Sequence, residues 1–252
     1  MSEHIKIKEV KDPWKKLRDD LKLFQPIEPL VELLAVPMMG ETDIVEHLLD
    51  PSKGPIIMSP ERIPGYVARM SHQTESSPEG DIKLNRNLLK MSPVPHKGPF
   101  EFCFWTFRIT GVSKSCLTQF DRARVGIGFV QMSGRYIDRN KTGFIYNIYD
   151  YIEEKTVREL LIADSRFYEM SMDIYNDRLT FGVTKQDARK CLPVSFATGT
   201  YVHMNSTSLR NLFQLRLDSH AEWEIRRMCR MMWSKCITVA PSHFEDMIEV
   251  VP

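Results

Sequence analysis

No run of apolar residues in the sequence approaches the roughly 20 needed to span a bilayer, and its first residues lack the apolar core of a secretory leader. A cytoplasmic protein with no membrane partner is expected. Charge of one sign is also missing: 34 Lys and Arg against 33 Asp and Glu leave a net +1. So even a balance excludes a broad electrostatic footprint for duplex nucleic acid, and none is expected as a partner, while a local basic pocket stays open. Cysteine is scarce. Cys103, Cys116, Cys191, Cys229 and Cys236 make an odd number with no C-x-x-C pair, which points to reduced buried thiols rather than a disulfide framework or a zinc site. No metal is expected. The chain also has no G-x-G-x-x-G, Walker loop, H-E-x-x-H or G-x-S-x-G, so the common dinucleotide, P-loop, zinc-protease and serine-hydrolase chemistries have no motif to rest on.

What remains is ordinary globular material. The 252 residues are 42% hydrophobic and 27% charged, enough for one large domain or two small ones. Residues 1–29 read as a polar N-terminal extension with a helix start at Asp12-Pro13 and stops at Pro26 and Pro29. Residues 30–252 read as the main domain. Val31–Val36 is a short strand, and 37–64, rich in proline and glycine around an amphipathic piece from Asp43 to Leu49, reads as an insertion or loop. Short helices are expected at Ile63–Ser71 and Leu84–Met91. The aromatic run Phe100–Ile109, bounded by Pro99 and Gly111, is a strand. A helix over Ser113–Arg124 and a strand over Val125–Tyr136 follow. Residues 150–180 are mostly helical, Lys185–Lys190 is a short helix, Thr198–His203 is a strand, and helices close the chain at about 206–217 and 219–236. The class is mixed α/β of the α+β kind, without strict βαβ alternation.

Three segments place charge where the pattern wants hydrocarbon. In the strand after Arg124, Val125, Ile127, Phe129, Gln131, Ser133 and Arg135 share one face at period two. That face is either a strand running out to solvent or an anion site, since hydroxyl and guanidinium donors suit an anion. In Asn205–Arg216, Leu209, Leu212, Phe213 and Arg216 fall at i, i+3, i+4 and i+7. Arg216 therefore turns toward the apolar side and needs a fixed partner: Asp218, Glu224 or a ligand. Arg189, in Asp187–Pro193, is a lone arginine of the kind that is ordinarily solvated. The scattered His72, His96, His203 and His220 read as structural.

The three segments meet in one family. Arg122-Ala-Arg-Val-Gly-Ile-Gly-Phe-Val-Gln-Met-Ser-Gly-Arg-Tyr136 resembles the RHR-x-x-S-x-N-E-x-S-x-R-Y signature of flavin-dependent thymidylate synthases. Ala68–Ser71 resembles that family's A-A-R-V-S, His96–Glu101 its H-E-T-P-F-E, Asp187–Pro193 its A-R-x-x-L-P, and Asn205–Arg226 its N-A-R-S…L-R-x-D-x-H-A-Q-W-E-I. The likeness covers about 60–245. It implies the family fold, a central mixed sheet flanked by helices, and a homotetramer with sites at subunit interfaces. It further implies that FAD stacks on the pyrimidine of dUMP, that methylenetetrahydrofolate donates the carbon, and that NADPH is a co-substrate.

Carried over residue by residue, the resemblance makes Ser133, Gly134 and Arg135 the phosphate-binding S-x-R and Arg189 a second phosphate arginine, donated by a neighbouring subunit. Gln119 and Arg216 hold the nucleotide and its base and are the catalytic candidates, with Gln131 beside the substrate. Ser71, Arg122, Arg124, Asn205 and Asn211 are the flavin-binding candidates. The flavin side departs from the pattern. Ala123 replaces histidine, Val130 and Gln131 replace Asn and Glu, Gly98 replaces threonine, and Thr207 replaces arginine. Two alternatives follow: the same fold acting on dCMP or giving a hydroxymethyl product, motivated by Gln131 and Glu222, or a non-catalytic nucleotide-binding or assembly protein that has lost FAD.

Overall fold

The computed structural model describes residues 12–37, 39–40 and 57–250. The amphipathic piece Asp43–Leu49 lies outside them. A four-stranded sheet organises the chain: β1 (Leu30–Ala35), β4 (Phe104–Ser113), β6 (Ala197–Asn205) and β5 (Ile127–Gln131), in the spatial order β1-β4-β6-β5. Every pairing is antiparallel, where a mixed sheet was expected. β4 and β5 do run in the same direction, joined by a crossover, but β6 lies between them, so each neighbouring pair is antiparallel. A separate two-stranded ladder joins β2 (Met39–Gly40) to β3 (Ile57–Met58), so it brackets residues 41–56.

The aromatic strand begins later and ends later than its sequence indicates. Pro99 opens a 3-10 turn over Gly98–Phe102, which buries Phe100, and β4 starts only at Phe104. Gly111 does not stop the strand. It has φ +68° and sits at the register shift between Thr110 and Val112, where a side chain would strike the Glu28 carbonyl. Glycine thus permits a bulge, and the ladder continues to Ser113.

Trp105, Phe107 and Ile109, at period two on β4, are fully buried, each worth roughly 1.5–3 kcal/mol of burial. They pack with the helices α4 (Lys114–Phe120), α7 (Ser206–Arg216) and α8 (Trp223–Val239) in the main core. The Met228, Met232 and Trp233 stripe lies inside this core. On the other side of the sheet Phe104, Tyr201 and Val130 stay exposed.

A second core forms around α5 (Glu154–Thr180), with Val157, Leu161, Tyr168, Met172 and Tyr175 on its inner stripe. Leu17 and Leu23 are buried there too, and Trp14 donates from Nε1 to the Tyr149 carbonyl at 2.9 Å. The described part of the N-terminal segment, including α1 (Lys15–Asp20), is therefore packed onto the body of the protein. The short helices α2 (Ile63–Arg69), α3 (Pro78–Lys90), α6 (Lys185–Ala188) and α9 (Pro241–Phe244) complete the elements used below.

Candidate functional site

α4 is held at its start and released at its end. The Ser113 hydroxyl caps it by accepting from the Cys116 N–H at 2.9 Å, and Ser113 donates from N and Oγ to the buried Glu224 carboxylate at 2.6 Å each. The helix stops at Phe120, four residues before the expected Arg124, so Arg122, Ala123 and Arg124 lie in a turn with exposed guanidiniums. That turn is stitched to α7: Ser208 Oγ donates to the Val125 carbonyl, and Asn205 Oδ1 accepts from the Ser208 N–H at 2.8 Å. Asn205, a flavin-binding candidate, is thereby a buried helix cap in this chain.

Between turn and helix lies a cleft of about 220 Å³. Gln119, Arg122, Arg124, Asn211 and Arg216 all line it, against Leu212 and Leu215. Five sequence-selected residues, from 119–124 and from α7, thus line one cleft. Arg216 is half-buried, and its Nη2 donates to the Gln119 carbonyl at 3.3 Å. Neither expected carboxylate is its partner. Asp218 holds His220, and Glu224 holds Ser113.

Sequence reasoning missed Lys97 beside this cleft. Its Nζ donates to Asn211 Oδ1 at 3.5 Å, and its carbonyl accepts from Thr207 Oγ1 at 3.0 Å. The signal was present: in the segment resembling H-E-T-P-F-E, lysine stands in place of glutamate. Ser71 does not line the cleft. It is exposed in a 3-10 turn, and its hydroxyl donates to the Ala68 carbonyl at 2.8 Å.

β5 leads from the cleft to the second group, about 13 Å away along the strand. Ile127, Phe129 and Gln131 share the half-buried face as expected. The Gln131 amide is engaged at both ends: its nitrogen donates to Asp121, and its oxygen accepts from Lys114 Nζ at 3.2 Å. Beyond Gln131 the pleat ends. The Arg135 N–H donates to Ser133 Oγ at 3.2 Å, and Ile137 N–H to the Ser133 carbonyl at 3.3 Å, so Ser133, Gly134 and Arg135 form a turn.

Gly134 is buried, and the Arg189 guanidinium presses against it within the same chain, where the resemblance implied a neighbouring subunit as the donor. A methyl group at Gly134 would collide with Arg189 and come within 2.8 Å of Arg139 Nη2. Arg135 itself is exposed, its guanidinium 5.7 Å from the Tyr136 ring centre.

Burial pushes the Cys103, Cys116, Cys229 and Cys236 thiols well up, so they stay protonated and offer no thiolate nucleophile. Glu222, which motivated the cytosine alternative, caps α8 by accepting from the Glu224 and Ile225 N–H groups at 3.2 and 3.4 Å. Among the described residues, no helix is long and apolar enough to cross a membrane.

The fold is shared with a solved UMP/dUMP methylase, PolB from Streptomyces cacaoi, bound with 5-Br UMP. The TM-score is 0.68 at 18% identity, over 90% of this chain and 97% of that one. Sequence comparison goes further. The chain is 30% identical over 180 residues to the flavin-dependent thymidylate synthase of Pyrococcus abyssi, covering 66% of this chain and 70% of that protein. It is 30% identical over 191 residues to that of Nitratidesulfovibrio vulgaris, covering 71% and 75%. The model of the thymidylate synthase complementing protein family matches residues 57–242, and the chain belongs to that family.

Proposed function

We propose that this chain is a flavin-dependent pyrimidine deoxynucleotide methyltransferase that transfers a one-carbon unit from methylenetetrahydrofolate to C5 of dUMP. The observation that carries the reading is the cleft that gathers Gln119, Arg216, Arg122, Arg124 and Asn211. The fold shared with a UMP/dUMP methylase and the relatives' shared name support it.

The donor set suits FAD. Arg122 and Arg124 line the cleft, Lys97 reaches it through Asn211, and none of the three forms an ion pair among the described residues, which fits a diphosphate. Arg122, Arg124 and Asn211 would hold it, with Asn205 and Ser71 as the remaining flavin candidates. Reduced flavin, when bound, would supply the hydride, with NADPH as the co-substrate that reduces it. The chain's own residues do the rest. Ser133, Gly134, Arg135 and Arg189 hold the nucleotide phosphate, and Gln131 stands between phosphate and base. Gln119 positions the base, and Arg216, braced on the Gln119 carbonyl, faces a ring carbonyl oxygen and stabilises the electron-rich ring from which C5 attacks. The buried thiols remain spectators. The glutamate that would have favoured cytosine is engaged as a helix cap, which weighs toward uracil.

We assign residues 1–29 as an N-terminal segment and 30–252 as the catalytic domain, with an insertion at about 37–64 whose base is the β2–β3 ladder. The exposed Phe104, Tyr201 and Val130 on the open sheet face support assembly into a homotetramer.

The test is direct. Purified protein should be yellow or take up FAD, and with methylenetetrahydrofolate and NADPH it should release tritium from C5-labelled dUMP. Colourless protein that takes up no FAD rejects the flavin reading. Release from labelled dCMP alone rejects the uracil assignment.

A further inference from the structure

Arg139 opens the 3-10 turn Arg139–Lys141 that follows the Ser133–Tyr136 turn. It is 2% exposed, one of the largest fully buried side chains of the protein. Its guanidinium lies over the Phe196 ring, 4.6 Å from the centre. Among the described residues its Nε and Nη1 have no hydrogen-bond partner and it forms no ion pair. Its Nη2 points at Gly134, where Arg189 converges from the other side.

Two guanidiniums therefore crowd one glycine, one of them buried, and neither forms an ion pair with a carboxylate among the described residues. Burial and the charge of Arg189 both pull the Arg139 pKa down, so the pair repels as it stands. A buried cation without a partner is costly and is retained where something else completes it. The missing partner is an anion of about two charges with several acceptor oxygens, because each guanidinium can give a paired set of hydrogen bonds. A phosphate monoester, at about −1.5 to −2 near neutral pH, matches both requirements. The convergence requires a glycine, since a methyl group at Gly134 would collide with Arg189 Nη1 and lie 2.8 Å from Arg139 Nη2.

We propose that Arg139 is a further phosphate-binding residue, and that its guanidinium and that of Arg189 clasp the dianionic phosphate of the nucleotide beside Gly134. The assignment rests on the nucleotide reading above. Arg139 falls outside the signature-like segment, which ends at Tyr136, so motif comparison does not reach it.

The experiment compares dUMP, deoxyuridine and inorganic phosphate as probes of wild type, R139M and R139K. dUMP should bind R139M about 10- to 100-fold more weakly than wild type, with R139K between them because lysine keeps the charge but not the paired donors. Deoxyuridine, which has no phosphate, should bind all three within about two-fold. Inorganic phosphate should raise the melting temperature of wild type and not of R139M. Unchanged dUMP affinity in either folded variant overturns the proposal, as does an equal loss for deoxyuridine. R139K decides alone if R139M does not fold. The parent reading fails separately: wild type that responds to inorganic phosphate but not to dUMP keeps the anion site and rejects the nucleotide, and wild type that responds to neither rejects both.

Discussion

Arg210 and Arg139 are buried alike, at 3% and 2% exposure, in opposite electrical surroundings. Arg210, on α7, gives paired hydrogen bonds to Asp246 at 2.7 and 2.6 Å and a third to the His243 carbonyl. It ties the C-terminal residues to the main core. Asp81 shows the same principle from the other side, a fully buried carboxylate with Arg69 Nε at 2.6 Å and Arg62 Nη2 at 3.1 Å. Arg139 has an aromatic face and a like-charged neighbour instead. Burial alone does not distinguish a structural arginine from a binding one. The absence of a counter-charge does, because folding by itself gives no reason to retain it.

The comparison can be broken most forcefully by stability. D246A, which strips Arg210 of its carboxylate, should lower unfolding free energy by about 2–3 kcal/mol, less than a fully enclosed pair because Asp246 is partly exposed. R139M should leave stability unchanged or raise it by up to about 1 kcal/mol, since hydrocarbon replaces an unpaired buried charge. Urea unfolding of both variants reads the difference, and equal losses would erase the contrast.

A smaller effect sharpens it at Gly134. G134A should weaken dUMP binding about ten-fold, or about 1.4 kcal/mol, while the melting temperature hardly moves. The added methyl meets the flexible ends of Arg189 and Arg139 rather than backbone. Calorimetric titration beside a thermal melt measures both, and a large loss of stability would make Gly134 a packing residue.

A pH-dependent effect lies in the Arg210 region. His243 is fully buried against Phe100, Trp105 and Phe244, and burial pushes its pKa down to about 3. Between pH 6.5 and about 3 the unfolded chain takes up a proton that the folded chain refuses. Stability therefore falls as pH falls below 6.5, by up to about 1.4 kcal/mol per pH unit from this group. H243F should flatten that slope in acid-unfolding curves; an unaltered slope would assign it to another residue.

Much of this is legible in the sequence alone. Strands around Val31, within Phe100–Ile109 and at Thr198, and a mostly helical stretch over 150–180, follow from period and composition, and five of the residues lining the cleft follow from family likeness. What escaped has physical causes. Gly111 signals a strand end and a bulge equally well, so β4 ran past it. The period-two face of β5 held for Ile127, Phe129 and Gln131 but not for Ser133 and Arg135, because the backbone turns where the ladder ends. Arg216 did lean toward the core, yet its partner is a backbone carbonyl, which no residue identity announces. Arg139 was invisible because its burial arises from α5 and Phe196, both distant in sequence.

The meeting of Arg189 with Gly134 inside one chain carries a genetic consequence. Two defective alleles, one R139M and one lacking the Arg189 guanidinium, would each keep one half of the same clasp on every polypeptide. Mixing their products could not reunite the halves, so the alleles should fail to complement each other. A donor arginine on a neighbouring chain would instead let mixed assemblies recover some intact sites.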